Sequence, residues 1–257
     1  MGDWLHELPV MWMGAVIFAG TYALAAAIYG IVAGLAAGDR ARAFKAVSPG
    51  MLSPLGIIFG LFVAFVAAQV WGDNDRANTA VTGEASALRA VVLLAAAFPG
   101  EQEHALRTLV RQHIDAAVTH EWPAMGRHRV TLSMAPPTLV GALRVAPALK
   151  PANEGQVIAQ RELVTSLETA LEARRQRIVI SRSGVNWVKW TGLIAQAACI
   201  LLAITMVHSD NWRAAVLALW LFATGIAICL LRIASHNRPF TGEISVRSDV
   251  LRNVSPP

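Results

Sequence analysis

The stretch that decides the fold is residues 53–71, which read SPLGIIFGLFVAFVAAQVW. It lies within 27 residues, Ala46 to Gly72, that contain no Asp, Glu, Lys or Arg. A transmembrane α-helix needs roughly 20 consecutive apolar residues to cross a hydrocarbon core about 30 Å thick. We therefore expect this stretch to form a membrane-spanning helix.

Three further uncharged stretches are found at Val10 to Gly38, Trp190 to Ser209 and Ala214 to Leu231. Over the 257 residues, 55% are hydrophobic and only 15% are charged, which is too apolar for a soluble domain. The last two stretches are separated by only a few residues around Asp210, so they should form an antiparallel hairpin. The predicted fold class is an all-α membrane protein with four transmembrane helices and a helical cytoplasmic segment between the second and third spans.

This pattern divides the chain into four parts. They are a first transmembrane hairpin over residues 1–72, a helical water-exposed segment over 73–186, a second transmembrane hairpin over 187–234 and a C-terminal tail over 235–257. The two cysteines, Cys199 and Cys229, fall inside predicted spans and are interpreted as small apolar residues. The spans hold almost no strongly polar side chain besides Gln69 and Gln196, which disfavours an ion-coupled transporter.

Three helices are predicted in the water-exposed segment. The first is capped by Asp73 or Asp75 and runs to about Phe98, before a Pro-Gly pair. The second runs from about Glu101 to Glu121 and the third from about Glu154 to Ser181. The residues between them, 124–153, are expected to be irregular because they contain four prolines.

The third of these helices carries apolar residues at a seven-residue interval: Val157, Val164, Leu171 and Ile178. Such a seam needs a second helix to pack against. One interpretation is an intramolecular partner on the second helix, on the face that holds Leu106, Leu109, Val110 and Ile114. The other is a docking face for a partner protein, which would make the chain a non-conducting membrane scaffold or sensor.

The distribution of basic residues predicts the orientation. Eleven Lys and Arg residues flank the central segment or lie in the tail, whereas four lie in the two hairpin loops. The positive-inside rule then places both termini and the central segment in the cytoplasm. The first loop argues against this topology, because it is short and contains Arg40, Arg42 and Lys45.

A run of arginines from Arg174 to Arg182 precedes Trp187 at the entrance of the third span. Basic residues followed by aromatic ones suit an anionic leaflet and its interface, and the net charge of +5 then requires no nucleic-acid partner.

His104, His113 and His120 lack the spacing of a metal site and are interpreted as solvated or capping residues. Because no catalytic motif is present, we expect neither enzymatic activity nor a cofactor or metal.

The second span contains two ordered ridges. Gly56, Gly60, Ala64 and Ala68 recur at four-residue intervals, and such small residues let another helix approach closely. The neighbouring ridge, about 100° around the helix, is Ser53, Ile57, Leu61 and Phe65. If the small ridge packs against a neighbour, the second ridge can face the axis of a ring of subunits, where apolar side chains gate ions by dewetting. Periodicity alone also allows both ridges to be ordinary helix contacts.

This span resembles the second membrane helix of the bestrophins, with Pro54, Gly60, Val63 and Trp71 at matching positions. The segment 107–111 is similar to the arginine-rich helix of that family, and the tail 237–243 is similar to its Asn-Pro-Phe-Gly-acidic segment. More closely, nearly the whole chain resembles the bacterial bestrophin-like domain family. The resemblance is carried by the Pro-to-Trp helix, Glu84 with Leu88, Glu121-Trp122-Pro123 and the Pro-Phe-x-Gly tail.

The resemblance implies a pentameric, passive ion channel of the bacterial inner membrane, with small inorganic ions and the lipid bilayer as its partners. Carried over by position, Ser53, Ile57 and Leu61 would line a narrow apolar neck, although Ser53 departs from the pattern. The tail lacks the run of acidic residues with which animal bestrophins hold calcium, since Glu243 is nearly alone. Calcium gating is therefore not expected.

Overall fold

The computed structural model describes residues 3–35, 49–127, 129–130, 132, 135–209 and 211–255. These residues form helices and contain no β-strand. A 3₁₀ turn, Pro49–Met51, directly precedes the helix Leu52–Ala95. A π-helical turn, Ala117–Glu121, joins the helix Glu101–Ala116 to the helix Trp122–Gly126. The helices are α1 (Asp3–Glu7), α2 (Val10–Leu35), α3 (Leu52–Ala95), α4 (Glu101–Ala116), α5 (Trp122–Gly126), α6 (Pro137–Ala148), α7 (Glu154–Ser181), α8 (Trp187–Val207), α9 (Trp212–His236) and α10 (Asp249–Arg252).

The chain forms two compact units. The first, which we call the membrane unit, comprises Met1–Gly72 and Gly184–Asn237. The second, which we call the polar unit, comprises Asp73–Ser183 and Arg238–Pro257. Helix α3 begins in the membrane unit and ends in the polar unit.

Four helices are long and apolar enough to cross a membrane, which confirms the predicted all-α membrane protein with four spans. They are Val10–Leu35, Pro49–Ala95, Trp187–Val207 and Trp212–His236. The last two are joined by a short turn, where the Asn211 side chain accepts a hydrogen bond from the backbone N–H of Ala214 and caps α9. Asp210 and the basic residues of the first loop lie outside the described residues.

The core of the membrane unit is apolar and is formed by all four long helices. Val66 of α3, Leu201 of α8 and Ala223 of α9 are buried in it, together with Ile17 of α2. Helices α2 and α9 run antiparallel, because Gly14 lies against Leu231 while the hydroxyls of Tyr22 and Thr224 are hydrogen-bonded at 2.8 Å.

The predicted helix start at Asp73 or Asp75 is wrong. Helix α3 is continuous over 44 residues, and Asp73 is buried within it, where its carboxylate pairs with Arg76 one turn later. An aspartate can cap a helix or pair with a basic residue three positions along it, and here the second arrangement occurs. Nothing between Trp71 and Asp75 interrupts the helix, since a single glycine costs only about 1 kcal/mol.

The polar unit also differs from the sequence prediction around its prolines. Helix α6 lies in the stretch predicted to be irregular; it begins at Pro137, where a helix does not need the missing N–H, and Pro147 falls in its last turn. The predicted stop at Trp122 and Pro123 is also wrong, because the chain remains helical from α4 through the π-helical turn to Gly126. Pro123 lies two residues after the π-helical turn, in the first turn of α5.

Helix α7 spans Glu154–Ser181, as predicted, and the Asn153 side chain caps it by accepting a hydrogen bond from the backbone N–H of Gln156 at 2.9 Å. Two residues of its predicted seam face the core of the polar unit. Val164 and Leu171 are half-buried against the same hydrophobic cluster that contains Leu106, Val110 and Ile114 of α4. The helix that packs along α7 is α6, whose Leu139, Ala142 and Ala146 belong to this cluster, so α4 as the partner of the seam stays a prediction.

Candidate functional site

The first candidate site is the outward face of α3 in the membrane unit. Ile57 is 67% exposed and Leu61 is 56% exposed, and both share this face with exposed Ser53. One turn further on, Phe65 is also exposed. The ridge predicted from the sequence therefore presents large apolar side chains that the residues described in its own unit leave uncovered.

The small-residue ridge lies beside it. Gly60, Ala64 and Ala68 are exposed, and Gly56 is half-buried. A methyl group built on Gly56 or Gly60 would meet no described atom within 4 Å. The ridge is thus open, so its role in helix packing remains a prediction about a neighbouring molecule.

The opposite face of α3 explains why these two ridges point outward. Phe59, Val66 and Val70 are buried in the core of the membrane unit. Helix α8 approaches α3 closely at Gly192, where an added methyl group would lie 3.1 Å from the Phe62 ring. At the same face, the Lys189 ammonium donates a hydrogen bond to the side-chain oxygen of Gln69, which satisfies one of the few polar groups in the spans.

The second candidate site is a cluster of buried charges in the polar unit. Arg177 of α7 and Glu84 of α3 are both fully buried. Arg177 Nε donates to Glu84 Oε2 at 2.7 Å, and Nη2 donates to Glu84 Oε1 at 3.1 Å. The same Nη2 also donates to Glu121 Oε2 at 3.0 Å. The paired geometry is the one that a guanidinium and a carboxylate prefer.

Glu121 ends the π-helical turn and binds two arginines. Arg174 donates to Glu121 Oε1 from Nε at 2.9 Å and from Nη2 at 2.6 Å. Burial by itself would raise the pKa of Glu121, but the hydrogen bonds from Arg174 and the attraction to Arg177 outweigh burial and lower that pKa. π-Helical turns are uncommon and often lie at functional positions; here the last residue of the turn is the one that joins two arginines.

The position of Arg174 and Arg177 in the sequence indicates a role at the membrane surface, and the structure shows that this prediction is wrong. They are buried in the polar unit, whereas Arg175 between them is exposed. A signal for this burial was present in the sequence. The buried stripe of α7 continues into both arginines at helical spacing: Leu163, Leu167, Ala170, Arg174, Arg177 and Ser181.

His113 is the member of the cluster that sequence reasoning missed. It is buried, and its Nε2 lies 2.9 Å from Glu84 Oε1, while Nδ1 lies 3.4 Å from the Thr138 hydroxyl. The expectation that it is solvated is wrong, although His104 and His120 are exposed. Its position on the apolar face of α4, between Val110 and Ile114, was the available signal.

The C-terminal tail closes over this cluster. The Cζ atom of Arg177 lies over the Trp122 ring, 5.0 Å from the ring centroid. On its other contact, the Trp122 ring meets the Phe240 ring edge-on, with 5.5 Å between the two centroids. The indole N–H donates to the carbonyl of Val246 at 3.3 Å. Gly242 has a φ of +86°, a conformation that glycine adopts without strain and that lets the tail turn here.

The charges of Glu84, Glu121, Arg174 and Arg177 cancel, and the side chains satisfy one another. Such a cluster can hold α3, α4 and α7 in one arrangement, because separating any charge from its partner inside the unit is costly. Among the described residues, no group of His, Cys, Asp or Glu is arranged to hold a metal ion.

The fold and these two sites define an all-α integral membrane protein with four spans and, in its polar unit, a buried cluster of balanced charges. A family model for the bestrophin-like domain matches residues 19–251. The chain therefore belongs to the bestrophin-like family. No curated protein matches it.

Solved structures with the same fold are also found. Two single-residue variants of a bacterial bestrophin homologue from Klebsiella pneumoniae match, one with a TM-score of 0.71 over 94% of this chain and 96% of that chain, the other with 0.68 over 91% and 95%. Both are 12% identical to this chain. A third crystal structure, described as a membrane protein, matches with a TM-score of 0.69 at 13% identity, over 94% and 96% of the two chains. At such low identity these matches show the fold alone.

The motifs that carry the resemblance in the polar unit lie together in the structure. Glu84, Glu121 and Trp122 all contact Arg177, and Phe240 of the tail packs edge-on against Trp122. Leu88, one turn beyond Glu84, is fully buried in the same unit. These short motifs, which are far apart in the sequence, therefore belong to one structural feature.

Proposed function

We propose that this protein is a homo-oligomeric, passive ion channel of the bacterial inner membrane, with an apolar neck lined by Ser53, Ile57 and Leu61. The carrying observation is the outward face of α3, where Ile57 and Leu61 are exposed side by side on a membrane-spanning helix. In a ring of subunits, such side chains form an apolar constriction that gates ions by dewetting. Membership of the bestrophin-like family supports this role.

The burial of the four spans also favours a role for α3 at an interface or pore. Only 17% of the apolar window of the second span is buried, against 44% of the third and 33% of the fourth. The first span, at 22%, is similarly open. The second span also carries an open ridge of small residues, which we propose as the contact between subunits of a pentamer.

Orientation completes the proposal. We place the polar unit and both termini in the cytoplasm, on the basis of the eleven basic residues that flank the central segment or lie in the tail. The conducted species would be small inorganic ions, and no catalytic role is proposed.

The scaffold hypothesis has weaker support. The docking face in that hypothesis consists of Val164 and Leu171, and both side chains are half-buried against the core of the polar unit. A partner helix would therefore have to displace existing contacts.

The proposal is tested by conductance of the purified protein in planar bilayers. Ile57→Ala with Leu61→Ala removes apolar bulk from the proposed neck, so we expect a higher open probability or unitary conductance for monovalent ions. Leu217→Ala with Leu221→Ala is the matched control, because these α9 residues are similarly apolar and exposed. Absence of conductance in the wild-type protein, or equal effects of the two pairs, would contradict the proposal.

A further inference from the structure

A deep apolar groove in the membrane unit has no role in the proposed pore. It has a volume of about 480 Å³ and is formed by α1, α2, α8 and α9, with no residue from α3. On α2 its wall runs from Val16 through Gly20 to Leu24, and Ile194 and Ile226 face it from α8 and α9. We propose that this groove binds one acyl chain of a bilayer phospholipid.

The chemistry of the lining supports a hydrocarbon occupant. Among the lining residues, Thr21 and Trp4 have a polar atom in the side chain; the Thr21 hydroxyl already donates to the Ile17 carbonyl at 2.8 Å, and Trp4 is 59% exposed. A water molecule in the groove would lack the two to four polar partners that ordered water needs. A hydrocarbon chain makes dispersion contacts with every wall and leaves no polar group unsatisfied.

The dimensions support a chain from one leaflet. Val16 and Leu24 are eight residues apart, which corresponds to about 12 Å along a helix. One leaflet contributes about 15 Å of hydrocarbon. Trp4 of α1 also lines the groove and is 59% exposed. Exposed tryptophans of this kind are common at the membrane interface. An acyl chain could thus enter beside Trp4 and extend along α2 to about the middle of the bilayer.

One glycine of the lining offers a way to fill the groove by substitution. Gly20 lies in its wall, and a methyl group built there meets no described atom within 4 Å. A larger side chain at position 20 would therefore enter the groove itself.

The test uses the full chain in vesicles of phosphatidylethanolamine and phosphatidylglycerol that contain a trace of a phospholipid with a diazirine at the end of one acyl chain. After illumination, mass spectrometry maps the labelled residues. We expect labelling at Leu24, Ile194 and Ile226 several-fold above that at Leu217 and Leu221, which are exposed on α9 outside the groove.

Gly20→Leu should reduce the groove labelling several-fold. Gly30→Leu is the matched control, since Gly30 is also an exposed α2 glycine with open space around it but does not line the groove. Groove labelling no higher than at Leu217, or unchanged by Gly20→Leu, overturns the proposal. Crosslinks between two protein copies through the groove peptides also overturn it. If Gly20→Leu does not fold, the wild-type map alone decides the question.

Discussion

Arg177 and Glu84 are 93 residues apart in the sequence, yet their side chains form a fully buried ion pair with two hydrogen bonds, at 2.7 and 3.1 Å. The pair ties α7 to the polar part of α3, the helix whose outward face carries the proposed neck residues. Neither charge has access to water, so each depends on the other for compensation.

Arg177→Met should destabilise the protein strongly, because it leaves the Glu84 carboxylate buried without its main partner. Breaking a buried pair typically costs about 3–5 kcal/mol, which corresponds to a fall in Tm of roughly 10 °C for a chain of this size. Thermal unfolding of detergent-purified protein, followed by tryptophan fluorescence, measures the change.

Arg175→Met is the matched control, since Arg175 lies on the same helix with its side chain 68% exposed and a long 3.8 Å pair to Glu172. Its effect should stay within about 0.5 kcal/mol. The double variant Glu84→Gln with Arg177→Met should recover part of the lost stability, because no uncompensated charge remains. Equal effects at positions 175 and 177 would show that the buried pair contributes little.

Glu121 should make stability dependent on acid pH. Its pKa is held below the ordinary value of 4.5 by Arg174 and Arg177, so its contribution is fully present above the pKa of the unfolded chain. That contribution is lost as pH falls through the lowered pKa of the folded state. The Tm of the wild-type protein should therefore exceed that of Glu121→Gln near neutral pH, and the difference should shrink as pH falls below about 4.5. A difference independent of pH would show that the Glu121 charge does not cause the effect.

Phe240→Ala should loosen the tail from the polar unit. Phe240 is 6% exposed and packs edge-on against Trp122, and truncating a buried phenylalanine costs about 3–5 kcal/mol. Ile244→Ala, in the same tail but 44% exposed, should cost much less. Limited proteolysis reports the difference: we expect rapid cleavage within the last 20 residues of Phe240→Ala only. Equal cleavage of the two variants would contradict this role for Phe240.

The helices that follow from local signals could be predicted, whereas the site that follows from long-range pairing could not. Asn153 and the absence of prolines determine α7, and both are visible in the sequence. The four spans follow from uncharged length alone. In contrast, nothing near Arg177 in the sequence identifies Glu84 as its partner. From the sequence alone, the arginines around position 177 therefore indicate a feature of the membrane surface.

Close packing of α3 and α8 should depend on Gly192. A methyl group at this position would lie 3.1 and 3.3 Å from two atoms of the Phe62 ring, which is tighter than ordinary contact. Gly192→Val should therefore destabilise the membrane unit by about 1–3 kcal/mol through overpacking. Combining it with Phe62→Leu should restore part of the lost Tm, because the smaller side chain makes room. Additive losses in the double variant would show that the two residues are not coupled.

Gly60 should matter for assembly and not for the fold of the single chain. Because a methyl group built on Gly60 meets no described atom within 4 Å and the position is exposed, Gly60→Leu should leave the membrane unit intact. If the small ridge is the contact between subunits, the same substitution blocks close helix approach and weakens the oligomer. Size-exclusion chromatography with light scattering should then show smaller particles for Gly60→Leu and unchanged particles for Gly30→Leu, which adds the same bulk at an open position of α2. Particles of wild-type size in Gly60→Leu would place the subunit contact on another face of the protein.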